Sequence, residues 1–209
     1  MFKRTVTALV VLVAILMGMA APAMANVTRR AEGLTISGEP TIDEASEISH
    51  QWSRIHLFFP AAAACVPPVS VVVVDRAEDA WASGKVSGIA AFYRRSEQTV
   101  FVEHGKVRAE HLIHEFAHHL DLSCGFNEGG LGAEFLGAQG FAADQQWTQG
   151  STWGRVPAEH FAEAVVGFMG IDSVDLPVSS AAFALVRRFA IWGAGGNEAA
   201  AAPLSEPRN

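Results

Sequence analysis

The spacing of apolar and polar positions divides the chain before any chemistry is considered. Thr5 to Met19 is a predominantly apolar run behind Lys3 and Arg4. Residues 26–40 carry little periodicity and read as an extended lead-in. From Thr41 to Phe59, the residues Ile42, Ala45, Ile48, Trp52 and Ile55 recur at steps of three and four, the period of one helix face. Thr41 and Glu44 are spaced as a capping box and Pro60 as a stop. Val69 to Val74 is short and β-branched, which predicts a central, buried strand. Asp75 to Lys85 allows a short helix or a loop. Ile89–Arg94 and Thr99–Glu103 alternate as two more strands, joined by a hairpin turn over 95–98.

Leu112, Phe116 and Leu120, flanked by Ile113 and Ala117, predict a helix that begins near Val107 and buries one face. The stretch Leu122–Arg155 holds eight glycines, so it reads as a connection bordering a cleft or poorly ordered, with at most a helical turn over Ala133–Ala138. A helix then runs from Pro157 to Met169, stopped by Gly170, and a packing helix from Ser179 to Trp192. The pattern predicts an α+β fold with a small mixed or antiparallel sheet: one domain over 26–196 and a flexible tail over 197–209.

The N-terminal pattern also gives an address. A positive start, an apolar run shorter than the roughly 20 residues that span a bilayer, and Ala23-Met24-Ala25 predict a signal peptide over 1–25, cleaved before Asn26. The expectation is a secreted bacterial protein with no stable membrane association after cleavage. Its net charge of −7 becomes more negative once Lys3 and Arg4 are removed, which argues against nucleic acid as a partner. In an exported chain the two cysteines, Cys65 and Cys124, most simply pair as a disulfide.

The chemistry concentrates at His114-Glu115-Phe116-Ala117-His118, an H-E-x-x-H pattern. Four helical residues advance about 400°, so the two imidazoles project in nearly one direction and can share a Zn2+ ion, with Glu115 beside them to take the proton of a zinc-bound water. A catalytic zinc needs a third protein ligand. The extended pattern with Gly and His three and six residues on fails, because Asp121 and Cys124 stand there. Glu159 and Glu163, four apart on the later helix, are the candidates. His111, His119 and His160 are outsiders, for which a polar or helix-end role is the plainer reading.

Leu112 to Asp121, with Trp153-Gly-Arg155 and Glu159-His-Phe-Ala-Glu163-Ala, resembles the peptidase domain of anthrax lethal factor and the small secreted bacterial zinc peptidases related to it, in the gluzincin group. The resemblance covers 107–121 and 153–169. It implies a zincin-like fold with an active-site helix and a second, glutamate-bearing helix. It further implies His114, His118 and Glu159 as zinc ligands, Glu115 as general base, Glu163 as the partner orienting a ligand histidine, and a peptide or protein substrate. Asp121 is a second candidate for an orienting role. The family pattern has Tyr where this chain has Trp153, so Tyr93, Arg155 or the Trp153 indole must stabilise the transition state, or turnover is weak. A zinc-binding but inactive module, and a zinc amidase acting on cell-wall peptides, are the alternative readings.

Overall fold

The computed structural model describes residues 29–31, 33–81, 88–172 and 176–194. The expected leader (1–25) and tail (197–209) lie outside them. Among the described residues, five strands form one mixed sheet: β1 (Arg29–Ala31), β2 (Leu34–Gly38), β3 (Val69–Val74), β4 (Ala91–Arg94) and β5 (Thr99–Glu103), in the order β1-β2-β3-β5-β4. β2, β3 and β5 run parallel, and β1 and β4 pair antiparallel to their neighbours.

The helices are α1 (Ile42–Phe58), a single turn α2 (Ala77–Ala80), α3 (Ala109–Cys124), α4 (Gly130–Ala138), α5 (Pro157–Phe168) and α6 (Ser180–Trp192). α1 starts where the sequence says. Thr41 accepts from the Glu44 N–H, and the Glu44 carboxylate accepts from the Thr41 N–H at 2.8 Å. Ala45, Ile48, Trp52 and Ile55 form its buried stripe, and the 3₁₀ turn Pro60–Ala64 ends it.

Register aligns Leu34, Val69 and Ile36, Val71, Val100 and Val73, Val102, Ala91 across the sheet, and all of them are buried. That face packs against α1 and α3, while α5 and α6 complete one continuous core. Phe116 on α3 is fully buried against Trp52, so truncation to alanine would cost about 3–5 kcal/mol.

Three expectations are corrected. The segment read as an extended lead-in contains β1 and β2. β2 was hidden because only Leu34 and Ile36 face inward, and it is completed by pairing with β3. Its last residue, Gly38, has φ +86°, and a Cβ there would lie 2.1 Å from the Val73 carbonyl oxygen. β3 is central as expected but not buried throughout: Val69, Val71 and Val73 are covered while Ser70, Val72 and Val74 are half-buried. The glycine-rich connection holds a full helix, α4, whose Leu131, Phe135 and Leu136 are buried.

Cys65 and Cys124 are bonded. The bridge fastens the end of α3 to the segment leading into β3. Among the described residues, no helix is long and apolar enough to cross a membrane.

Candidate metal centre

α3 lies along α5 and against β4, and the site forms where the three meet. α3 is closed by Gly125 in the left-handed conformation, its N–H returning to the Asp121 carbonyl. Asp121 itself is fully buried. It accepts the backbone N–H of Asn127 at 3.1 Å and the indole N–H of Trp147. The Trp147 carbonyl in turn accepts the Ala158 N–H at 3.0 Å. Asp121 therefore ties the glycine-rich connection, and through it the start of α5, to α3. Its hydrogen bonds go to these groups and not to a ligand histidine, so the orienting role expected of it is corrected to one of placing α5. Burial pushes its pKa up to about 6, against the pull of the Trp147 and Asn127 hydrogen bonds.

With α5 so placed, Glu159 in its first turn meets the two histidines. Glu159 Oε2 lies 3.0 Å from His114 Nε2 and 3.5 Å from His118 Nε2. Glu163, one turn on, has Oε1 2.9 Å from His114 Nδ1. A carboxylate can only accept, so Nδ1 carries the hydrogen and Nε2 is the nitrogen turned to the site.

His114, His118 and Glu159 offer ligand atoms within 4.8 Å of one another, a group that could hold a metal ion. The two His–Glu separations fit a metal ion held between Glu159 and each histidine. Bonds of about 2.0–2.1 Å put neighbouring donors about 3.3 Å apart, and the two His–Glu separations bracket that value. The electrostatics agree. Burial lowers the His114 pKa, but hydrogen bonds to Glu159 and Glu163 outweigh it and push it up to about 10. Burial raises the Glu159 carboxyl, yet the hydrogen bonds and charges of His114 and His118 hold it well below the usual carboxylate range. The site is built to take up positive charge.

Glu115 is 8 % exposed. Burial raises its pKa, opposed by His114 and His118 and by the Tyr93 backbone N–H. It opens on a cleft of about 640 Å³, walled by β4, α3 and α5, with Trp81, His111 and Trp153 also on its lining.

The three candidates for transition-state help are placed differently. Trp153, 47 % exposed, stacks over His114 and donates its indole N–H to Glu159 Oε2 at 2.8 Å. Tyr93 lines the cleft, but its hydroxyl is 2.8 Å from His119 Nδ1. Burial raises that phenol to about 12. Arg155 lines a separate pocket with Phe141 and Gln145, outside the metal cleft.

The outsider histidines separate as well. His119 is fully buried, with Nε2 3.0 Å from the Pro67 carbonyl, and burial lowers its pKa. His160 lies between Gln139 and the Gly154 carbonyl. Only His111 reaches the cleft. The sequence pointed to neither Trp147 nor Gln139. Each is a lone residue in the glycine-rich stretch whose partner lies far away along the chain.

No protein-family model, curated protein or solved structure matches this chain.

Proposed function

We propose that the protein is a secreted zinc-dependent peptidase of gluzincin type, built on a zincin-like fold. The observation that supports it best is the meeting of His114, His118 and Glu159 within 4.8 Å beside buried Glu115, in a cleft bordered by a sheet-edge strand. Zinc, when bound by the three, supplies Lewis-acid polarisation of a substrate carbonyl and a more acidic water. Glu115 would accept a proton from the attacking water and return it to the departing amine. Glu163 fixes the His114 tautomer through Nδ1. β4, paired on one side only among the described residues, offers backbone groups to an extended peptide.

The test is the mature protein loaded with zinc, with and without chelator, against a mixed peptide library, beside Glu115→Gln. Cleavage should need the metal and fall by several orders of magnitude in the variant. Cleavage that survives Glu115→Gln would sink this mechanism.

One observation favours a second reading, a zinc-binding module without turnover: both the Trp153 N–H and the Tyr93 O–H are already committed within the protein. Zinc near one per chain with no peptide cut would establish it.

A further inference from the structure

We infer, on the proposed metal reading, that His160 is a positioning residue of this site: its ring holds the turn from which Trp153 reaches Glu159. Glu159 is the carboxylate among the three proposed ligands, and a carboxylate on a flexible stem keeps its aim only when its oxygens are tied. Its Oε2 accepts the Trp153 indole N–H at 2.8 Å. Trp153 is itself 47 % exposed and sits on a single 3₁₀ turn, Trp153–Arg155, whose start has no side-chain cap. Burial does not fix an exposed ring on so short a turn. Its aim depends on what holds the backbone of the turn.

His160 supplies that hold. It follows Glu159 directly on α5, is buried, and has Nε2 3.2 Å from the Gly154 carbonyl oxygen. That oxygen only accepts, so Nε2 carries the hydrogen and donates it. The other side of the ring gives the same answer. Nδ1 lies 2.8 Å from the side-chain nitrogen of Gln139. Two backbone groups settle which way that amide faces: its oxygen accepts the Ser179 N–H at 2.8 Å, and its nitrogen donates to the Pro177 carbonyl at 3.2 Å. Nδ1 therefore meets a donor and is the bare, accepting nitrogen. Gln139 thus selects the tautomer that lets His160 donate to Gly154. Phe141 packs edge-on against the imidazole, with ring centroids 5.0 Å apart.

These contacts close a small ring. It runs from the Glu159 carboxylate to the Trp153 indole, along the backbone to the Gly154 carbonyl, across to the His160 imidazole, and back through one peptide bond to Glu159. Both ends of the tie stand on the same helix, so the turn is held relative to the ligand itself. Gln139, at the end of α4, and Ser179, at the start of α6, brace the imidazole from outside.

The experiment measures the zinc affinity of the mature chain by competition with a chelator. It compares wild type, His160→Asn, His160→Gln, Trp153→Phe, and the double variant of His160→Asn with Trp153→Phe. An asparagine amide reaches about as far as Nδ1 and a glutamine amide about as far as Nε2. The first therefore keeps the Gln139 contact, and the second keeps the Gly154 contact. His160→Asn should weaken zinc binding about tenfold, the lower end for a group that orients a ligand, and His160→Gln by about threefold at most. Because His160 acts through Trp153, the double variant should also lose about tenfold, where independent losses would multiply to about 100-fold. If His160→Asn does not fold, Gln139→Leu, which frees the ring to take its other tautomer, replaces it in the cycle with the same non-additivity expected. Unchanged zinc affinity in the variant used, a His160→Gln variant as weak as His160→Asn, or losses that multiply in the double variant would each overturn the assignment while leaving the metal reading intact. Wild type that takes up no zinc would overturn both.

Discussion

Trp153 and His114 converge on one oxygen: the indole N–H donates to Glu159 Oε2 at 2.8 Å, and His114 Nε2 lies 3.0 Å from that same atom. Trp153, which stands where the resemblance leads one to expect a tyrosine, is therefore attached to the proposed ligand, and its ring stacks on a second one. Where a tyrosine would offer a proton to substrate, the indole fixes the carboxylate rotamer.

Removing that N–H while keeping an aromatic ring should act on metal affinity. Trp153→Phe is expected to weaken zinc binding about tenfold, the lower end for losing a hydrogen bond to a ligand. Competition with a fluorescent chelator reads it. Affinity equal to wild type would show that the indole contact does not position Glu159.

Tyr93 gives the opposite expectation. Its hydroxyl bonds a buried imidazole whose other nitrogen is held by the Pro67 carbonyl, so it joins β4 through α3 to the segment after Cys65. Tyr93→Phe leaves His119 Nδ1 buried without its donor. The stability cost should be about 1–3 kcal/mol, measured by urea denaturation, with zinc content unchanged. A loss of activity greater than the loss of folded protein would return Tyr93 to the reacting atoms.

Glu44 carries a pH dependence whose sign is fixed. Burial raises its carboxyl, but hydrogen bonds from the Gly105 and Thr41 backbones, Thr41 and His104 outweigh it and hold the pKa at about 2, below the ordinary 4.5. A depressed folded-state value stabilises above the unfolded pKa and fades as pH falls from about 4.5 toward 2. Allowing for solvent screening at this partly exposed site, the contribution at neutral pH is about 1–2 kcal/mol. Glu44→Gln should lose about that much at pH 7 and little at pH 2.5, as urea midpoints at the two values will show.

The readable parts of this fold are those whose signal is local. The α1 cap lies within four residues, and the stripes of α3 and α5 repeat within one helix each, so their ends could be placed within about three residues. The pairing of Cys65 with Cys124 followed from parity and compartment. What stayed hidden depends on distant partners. Leu34 and Ile36 become strand residues only beside Val69 and Val71. The α4 segment is helical despite Gly130, Gly132 and Gly137 because Phe135 packs on Phe126 and Phe161, which outweighs poor propensity. At the site, the histidine pair needed only helical spacing. Asp121 was misjudged because its partner, Trp147, stands 26 residues away in a stretch with no periodicity.

The Cys65–Cys124 bond has a consequence beyond bracing. It closes a covalent ring, since its cysteines stand 59 positions apart, and β3, β4, β5 and most of α3 lie inside that ring. The exposed turn at Gly105 and Lys106, just ahead of α3, lies inside it too. A single backbone cut at that turn would release nothing. The nicked molecule would run as one piece on a non-reducing gel, heavier by only one water, and separate into two fragments when thiol is added.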